Sequence, residues 1–163
     1  MRPIMRAHLV LACNPKVVKD GKLKCFIPGE TAPRWTVPAR GYGANGPGWQ
    51  WYGGDTPPGR YRLGTVFTIS PAEMEIYGTY CIDLIDLENQ EIGFGRAGIS
   101  IHAGRTPYTP TLGCIRVSES TLSRVLNTLK WARMQSEFTP KDWKLYRNED
   151  DFVDLTMSWR DDV

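Results

Sequence analysis

The sequence predicts a mainly β fold with one or two helices. Three observations predict it. Sixteen glycines and twelve prolines cut the chain, chiefly its first two thirds, into the short segments that strands and turns make. Several of those segments alternate apolar and polar residues, the period of a strand with one buried face. One stretch carries clear helical spacing: Leu122, Val125, Leu126 and Leu129 fall at i, i+3, i+4 and i+7.

The elements follow in order. Strands are predicted at Ala7 to Cys13, Lys22 to Ile27 and Arg34 to Val37, and Asp20-Gly21 between the first two is a hairpin turn pair. Tyr61 to Ile69 reads as the next strand. Tyr80, Ile82 and Leu84 then alternate with Cys81 and Asp83. Glu88-Asn89-Gln90 turns that strand into Ile92 to Phe94. Ile99-Ser100-Ile101 is short and β-branched, and it delivers His102 at its end. Ser118 is placed to cap the helix. The tail from Trp143 to Trp159 alternates loosely and reads as an edge strand. No linker divides the chain, so a single domain spans residues 1–163.

Composition excludes some classes. Hydrophobic content of 41% and charged content of 23% are those of a globular protein with a core rather than of a disordered chain. The net charge of +2 is scattered, with no basic stripe to track a phosphate backbone, so nucleic acid is not an expected partner. A mild positive excess suits an anionic polymer. No apolar run is long enough to span a bilayer. Arg2 and Arg6 precede Leu9-Val10-Leu11-Ala12-Cys13, but that stretch is too short for a signal core and reads as the first strand.

The cysteines are Cys13, Cys25, Cys81 and Cys114, and the histidines are His8 and His102. No C-x-x-C pair occurs, so neither a metal site nor a cofactor is expected. Cys13 and Cys25 fall on neighbouring predicted strands, and two small buried thiols are expected there rather than a disulfide. The segment Asn45 to Gly59 is a long loop dense in Gly, Pro and Trp. Trp49, Trp51 and Tyr52 in it fit a groove wall, or equally a cover over one end of the β core.

The chemistry points to Ile99 to Val117. His102 closes a strand, and Cys114 follows Gly113 in a tight turn twelve positions on. Cysteine attacks as thiolate and has an ordinary pKa of about 8.5, so a neighbouring imidazole that takes its proton makes it a nucleophile. Gly113 allows the backbone to turn its amides, and those of Gly113 and Cys114, toward a developing oxyanion, each such donor contributing on the order of 3 kcal/mol. On chemistry alone, a single His near a strand end is more often structural and a single Cys more often filler, and the G-C-I-R context shifts that balance only modestly.

These residues resemble the signature of the L,D-transpeptidase catalytic domain, the YkuD family. Its pattern is a strand end of Ile-His-Gly type, a loop, then Ser or Thr, His, Gly, Cys, an apolar residue and Arg or Asn. Ile101-His102 matches the first part, and Thr111, Gly113, Cys114, Ile115 and Arg116 match the second. Thr56-Pro57-Pro58-Gly59-Arg60-Tyr61 matches a second family element, a T-P-x-G-x-[FY] turn and strand. The resemblance spans roughly residues 7–130 and implies an L,D-transpeptidase-like β-sandwich or barrel.

The departures are specific. Leu112 stands where the family has a second His, and Ala103 where Gly follows the first. The loop between His102 and Cys114 is short. These features resemble a branch of small L,D-transpeptidase-like toxins delivered by type VI secretion, as does the missing signal peptide in an enzyme acting in the periplasm. That branch implies an immunity protein and a secretion apparatus as partners. A house-keeping or phage-borne wall enzyme is the alternative role.

The resemblance implies attack by Cys114 on the peptidoglycan tetrapeptide stem, between residue three, often diaminopimelate, and D-Ala. His102 serves as base, and a backbone carbonyl is expected to orient its ring, since no Asp or Asn stands nearby. Arg116, Thr111, Tyr108 and Trp51 are the candidate substrate contacts, with Arg116 also fitting a brace for the loop. Two rivals remain open: a cysteine peptidase acting on another peptide, and a non-enzymatic wall-binding module with Cys114 as a buried thiol.

Overall fold

The computed structural model describes residues 7–17, 21–44, 48, 55–86, 99–104, 111, 113–134, 153–160 and 162. Alternation places Ala7, Leu9, Leu11 and Cys13 on the buried face of strand β1 (Ala7–Cys13). Strand β2 (Gly21–Phe26) runs antiparallel to it, with Leu11 opposite Leu23. Strand β3 (Trp35–Pro38) adds antiparallel to β2 and forms one edge of the sheet.

Strand β4 (Gly59–Thr68) pairs antiparallel with β5 (Tyr80–Asp86), and their register shifts between Leu63 and Val66. A 3-10 turn at Pro71–Glu73 and the short helix α1 (Met74–Tyr77) join them. Strand β6 (Ser100–His102) follows antiparallel to β5, and β7 (Ile115–Arg116) lies parallel to β6. Parallel neighbours cannot be joined by a tight hairpin. The loop from His102 to Cys114 is therefore a requirement of the topology as well as a carrier of chemistry.

The two ends of the sheet meet. Arg40, just past β3, exchanges backbone hydrogen bonds with Arg116 of β7, at 2.9 and 2.8 Å. Gly43 makes a second bridge, to Thr111. These bonds curl the eight strands into a half-barrel. Helix α2 (Glu119–Met134) covers its core with Leu122, Val125, Leu129 and Ala132, all fully buried. Ser118 caps this helix as predicted, its Oγ accepting from Thr121 N at 3.2 Å.

The tail differs from the prediction. Strand β8 (Val153–Trp159) is not at an edge but in the middle, parallel to β1 and antiparallel to β4. Val153, Leu155 and Met157 are buried and alternate with Asp154, Thr156 and Ser158, so the strand keeps a period of two, and its interior place comes from its pairing with β1 at the far end of the chain. Asp154 is accommodated by His8, whose Nδ1 lies 2.6 Å from its carboxylate. Cys13 and Cys25 are free, Cys13 lying opposite Gly21 and Cys25 opposite Leu9. The predicted strand at 92–94 and the aromatic residues at 49, 51 and 52 lie outside the described residues.

Leu155 pairs with Leu9 on one side and Tyr61 on the other, and it is fully buried. Leu155→Ala is therefore expected to cost about 3 kcal/mol in urea unfolding. A loss below about 1 kcal/mol, as for an exposed edge residue, contradicts the central placement.

Candidate active site

Strand β6 places Ser100 and His102 on one face and Ile101 in the core behind them. Register extends that face. Cys81 of β5 stands opposite His102, and Arg116 of β7 stands beside it. Cys114, one residue before β7, brings its Sγ to 3.5 Å from Ser100 Oγ. The predicted nucleophile and base thus share one face of the sheet. Cys114 is half-buried, whereas His102 is 2% exposed.

The imidazole is held from several sides. His102 Nδ1 lies 2.8 Å from the carbonyl of Ala103. A carbonyl only accepts, so Nδ1 carries the proton and Nε2 is left as the basic nitrogen. Burial pushes the pKa of His102 down, and the Arg116 charge adds to that, while the bond to Ala103 works the other way. The ring is thus neutral near pH 7. The Tyr77 ring packs against it edge-on, with centroids 5.3 Å apart and planes at 78°. Ala103 N in turn donates to Tyr77 O at 3.1 Å. Gly104 has φ +84° and lies against the Ile76 backbone, where a Cβ has no room.

The turn before Cys114 is built from two distant motifs. Thr111 Oγ1 accepts from Gly113 N at 3.0 Å and donates to Cys114 O at 2.8 Å. Gly113 has φ +114°, a conformation open chiefly to glycine. Thr56 Oγ1 donates to Gly113 O at 2.6 Å. Thr56 itself is fixed, its N donating to Gly41 O at 2.7 Å and its O accepting from Trp159 Nε1 at 2.9 Å. Beside it, the Asp55 carboxylate accepts from Gly43 N and Gly48 N at 2.8 and 2.9 Å. The T-P-P-G element and the Gly-Cys turn are one structural unit.

This geometry revises several predicted roles. The Gly113 amide is engaged by Thr111, so Gly113 shapes the turn and does not serve as an oxyanion donor. Thr111 is 8% exposed and Arg116 3% exposed. Arg116 is a brace: Nη2 donates to Ile76 O at 3.1 Å, which ties β7 to the segment carrying Tyr77. Tyr108 and Trp51 lie outside the described residues. Ser100 and Tyr77 were not predicted. Ser100 was findable, because a residue two before His102 in a strand must share its face. Tyr77 comes from a separate helix with no local mark. Among the described residues, no three His, Cys, Asp or Glu side chains converge as metal ligands.

No family model and no curated protein matches the chain. Solved structures do match. Bd1075 of Bdellovibrio bacteriovorus aligns with a TM-score of 0.60 at 16% identity, over 97% of this chain and 49% of that one. The helical cell shape determining protein Pgp2 from Campylobacter jejuni aligns at 0.58 and 17%, over 98% of this chain and 52% of that one. The chain shares the fold of Pgp2 and Bd1075. It spans about half the length of either. Mycobacterium tuberculosis L,D-transpeptidase 1 aligns at only 0.46 and 10% identity, over 93% of this chain and 62% of that one, too loosely to carry an argument. Within this Pgp2-like fold, the face that carries His102 and Cys114 lies at the β6–β7 end of the sheet.

Burial raises the other thiols. Cys13 and Cys81 are pushed up to about 11, and Cys25 is raised as well. Iodoacetamide at neutral pH is therefore expected to label Cys114 first, read by peptide mapping. Faster labelling of Cys13, Cys25 or Cys81 contradicts this site.

Proposed function

We propose that this chain is a cysteine acyl-transfer enzyme that acts on peptidoglycan tetrapeptide stems, between residue three, diaminopimelate, and D-Ala. The observation that carries the reading is the buried His102 ring, oriented through Nδ1 by the Ala103 carbonyl, on the face it shares with Cys114. A nucleophile, a base and a group that orients the base are the parts such a reaction needs. The substrate assignment is supported by the two motif resemblances and by the fold shared with a helical cell shape determining protein.

The steps follow from the residues. His102 Nε2 takes the thiol proton as Cys114 sulfur attacks the carbonyl carbon of residue three. The tetrahedral oxyanion forms beside the turn that Thr111 and Thr56 hold rigid, with the Cys114 amide as its donor. Collapse breaks the bond to nitrogen, and His102 returns its proton to the departing D-Ala amine. The acyl group stays on sulfur as a thioester. Water then gives L,D-carboxypeptidase action, a free D-amino acid gives exchange, and a second stem gives a 3-3 crosslink.

Purified tetrapeptide muropeptides incubated with the reduced protein are expected to lose terminal D-Ala, or exchange it for an added D-amino acid, by mass spectrometry. Cys114→Ala abolishes this, and His102→Gln slows it about a hundredfold or more. Intact muropeptides, with a protein whose Cys114 still labels, overturn the substrate.

The role we assign is that of an antibacterial effector acting in the periplasm of a rival cell, supported by the departures at Ala103 and Leu112. Export of the chain to the periplasm of a sensitive host is expected to arrest growth, and Cys114→Ala to remove the effect. Normal growth with verified export favours a house-keeping wall enzyme.

A further inference from the structure

Ser100 stands between two sulfurs. Its Oγ is 3.5 Å from Cys114 Sγ, and its side chain also hydrogen-bonds the Cys81 thiol. A hydroxyl has one proton to give and two lone pairs to accept with. The direction of donation therefore decides what Ser100 does.

The charge on the sulfur settles the direction. Cys81 sits diagonally from Ser100 across β5 and β6, Asp83 stands directly opposite Ser100, and burial pushes the Cys81 thiol up to about 11 while its bond to Ser100 works the other way. A sulfur that carries negative charge has no proton to give, so a bond between Ser100 and a charged Cys114 sulfur runs from the hydroxyl. His102 and Arg116, the remaining titratable groups on this face, lie further along the register. A hydrogen bond to a sulfur that gains negative charge strengthens as the charge develops. A disulfide between the two thiols is not an alternative, because β6 separates β5 from β7 and two strand spacings exceed the reach of a bridge.

We propose that Ser100 is a positioning residue whose hydroxyl donates to the Cys114 sulfur and holds it on the His102 face while negative charge builds on it. This rests on the reading of Cys114 as the nucleophile. It accounts for a serine within an otherwise apolar strand, Ile99-Ser100-Ile101, where a small apolar residue would pack equally well.

The test uses the full reduced chain and iodoacetamide. Ser100→Ala is expected to slow alkylation of Cys114 about tenfold at neutral pH, the size of one lost charge-assisted hydrogen bond. Ser100→Thr, which keeps the hydroxyl, restores the neutral-pH rate. On tetrapeptide stems, Ser100→Ala lowers kcat and leaves KM unchanged. A parental alkylation rate in Ser100→Ala at neutral pH overturns the proposal, and so does a rate in Ser100→Thr no faster than that of Ser100→Ala. If the parent is alkylated but releases no D-Ala, the substrate reading fails while the alkylation contrast still decides Ser100.

Discussion

One hydrogen bond organises the site: His102 Nδ1 to the carbonyl of its own neighbour, Ala103, at 2.8 Å. It fixes the tautomer and the ring plane without any acidic partner. A carboxylate in that position would raise the imidazole pKa. A neutral carbonyl orients the ring with less of that effect, and burial then dominates. Burial thus favours the neutral imidazole. Tyr77 covers the ring, and Arg116 ties the covering segment to β7 through Ile76. The strand that carries His102, the strand after Cys114 and the cover are linked to one another.

The second constraint is the closure of the sheet. Arg40 and Arg116 exchange backbone bonds across its two ends, and Thr111 joins the same seam through Gly43. Thr56 reaches the turn from the start of β4 and accepts the Trp159 indole from β8. The turn before Cys114 is thus braced by the first and last thirds of the chain. The two-residue strand that follows Cys114 would otherwise be poorly fixed. Here the strand is short, but its neighbours come from both directions.

Much of this was legible in the sequence, for identifiable reasons. β1, β2, β5 and α2 follow from local periodicity, because each has one buried face and one solvated face. The pairing of His102 with Cys114 was expected from the motif resemblance, and the carbonyl at His102 from the lack of a nearby Asp or Asn. The interior position of β8 was not legible. Its alternation of Val153, Leu155 and Met157 with Asp154, Thr156 and Ser158 marks a strand but not its neighbours, and its parallel pairing with β1 is a contact between the two ends of the chain. The part that Thr111 plays in the turn was not legible for a related reason. Its hydroxyl closes a turn at Gly113, and a turn hydroxyl looks the same in sequence as a substrate contact.

The account depends on His102 being a neutral, Nδ1-protonated imidazole in the resting protein. Nitrogen NMR of the histidine-labelled chain measures that directly. The account predicts a proton on Nδ1 and none on Nε2 near pH 7. Because burial lowers the pKa, that state should persist as the pH falls past the ordinary imidazole value of about 6.5, while the exposed ring of a denatured control takes up its second proton. A proton found on Nε2 near pH 7, or an imidazolium already formed there, contradicts it.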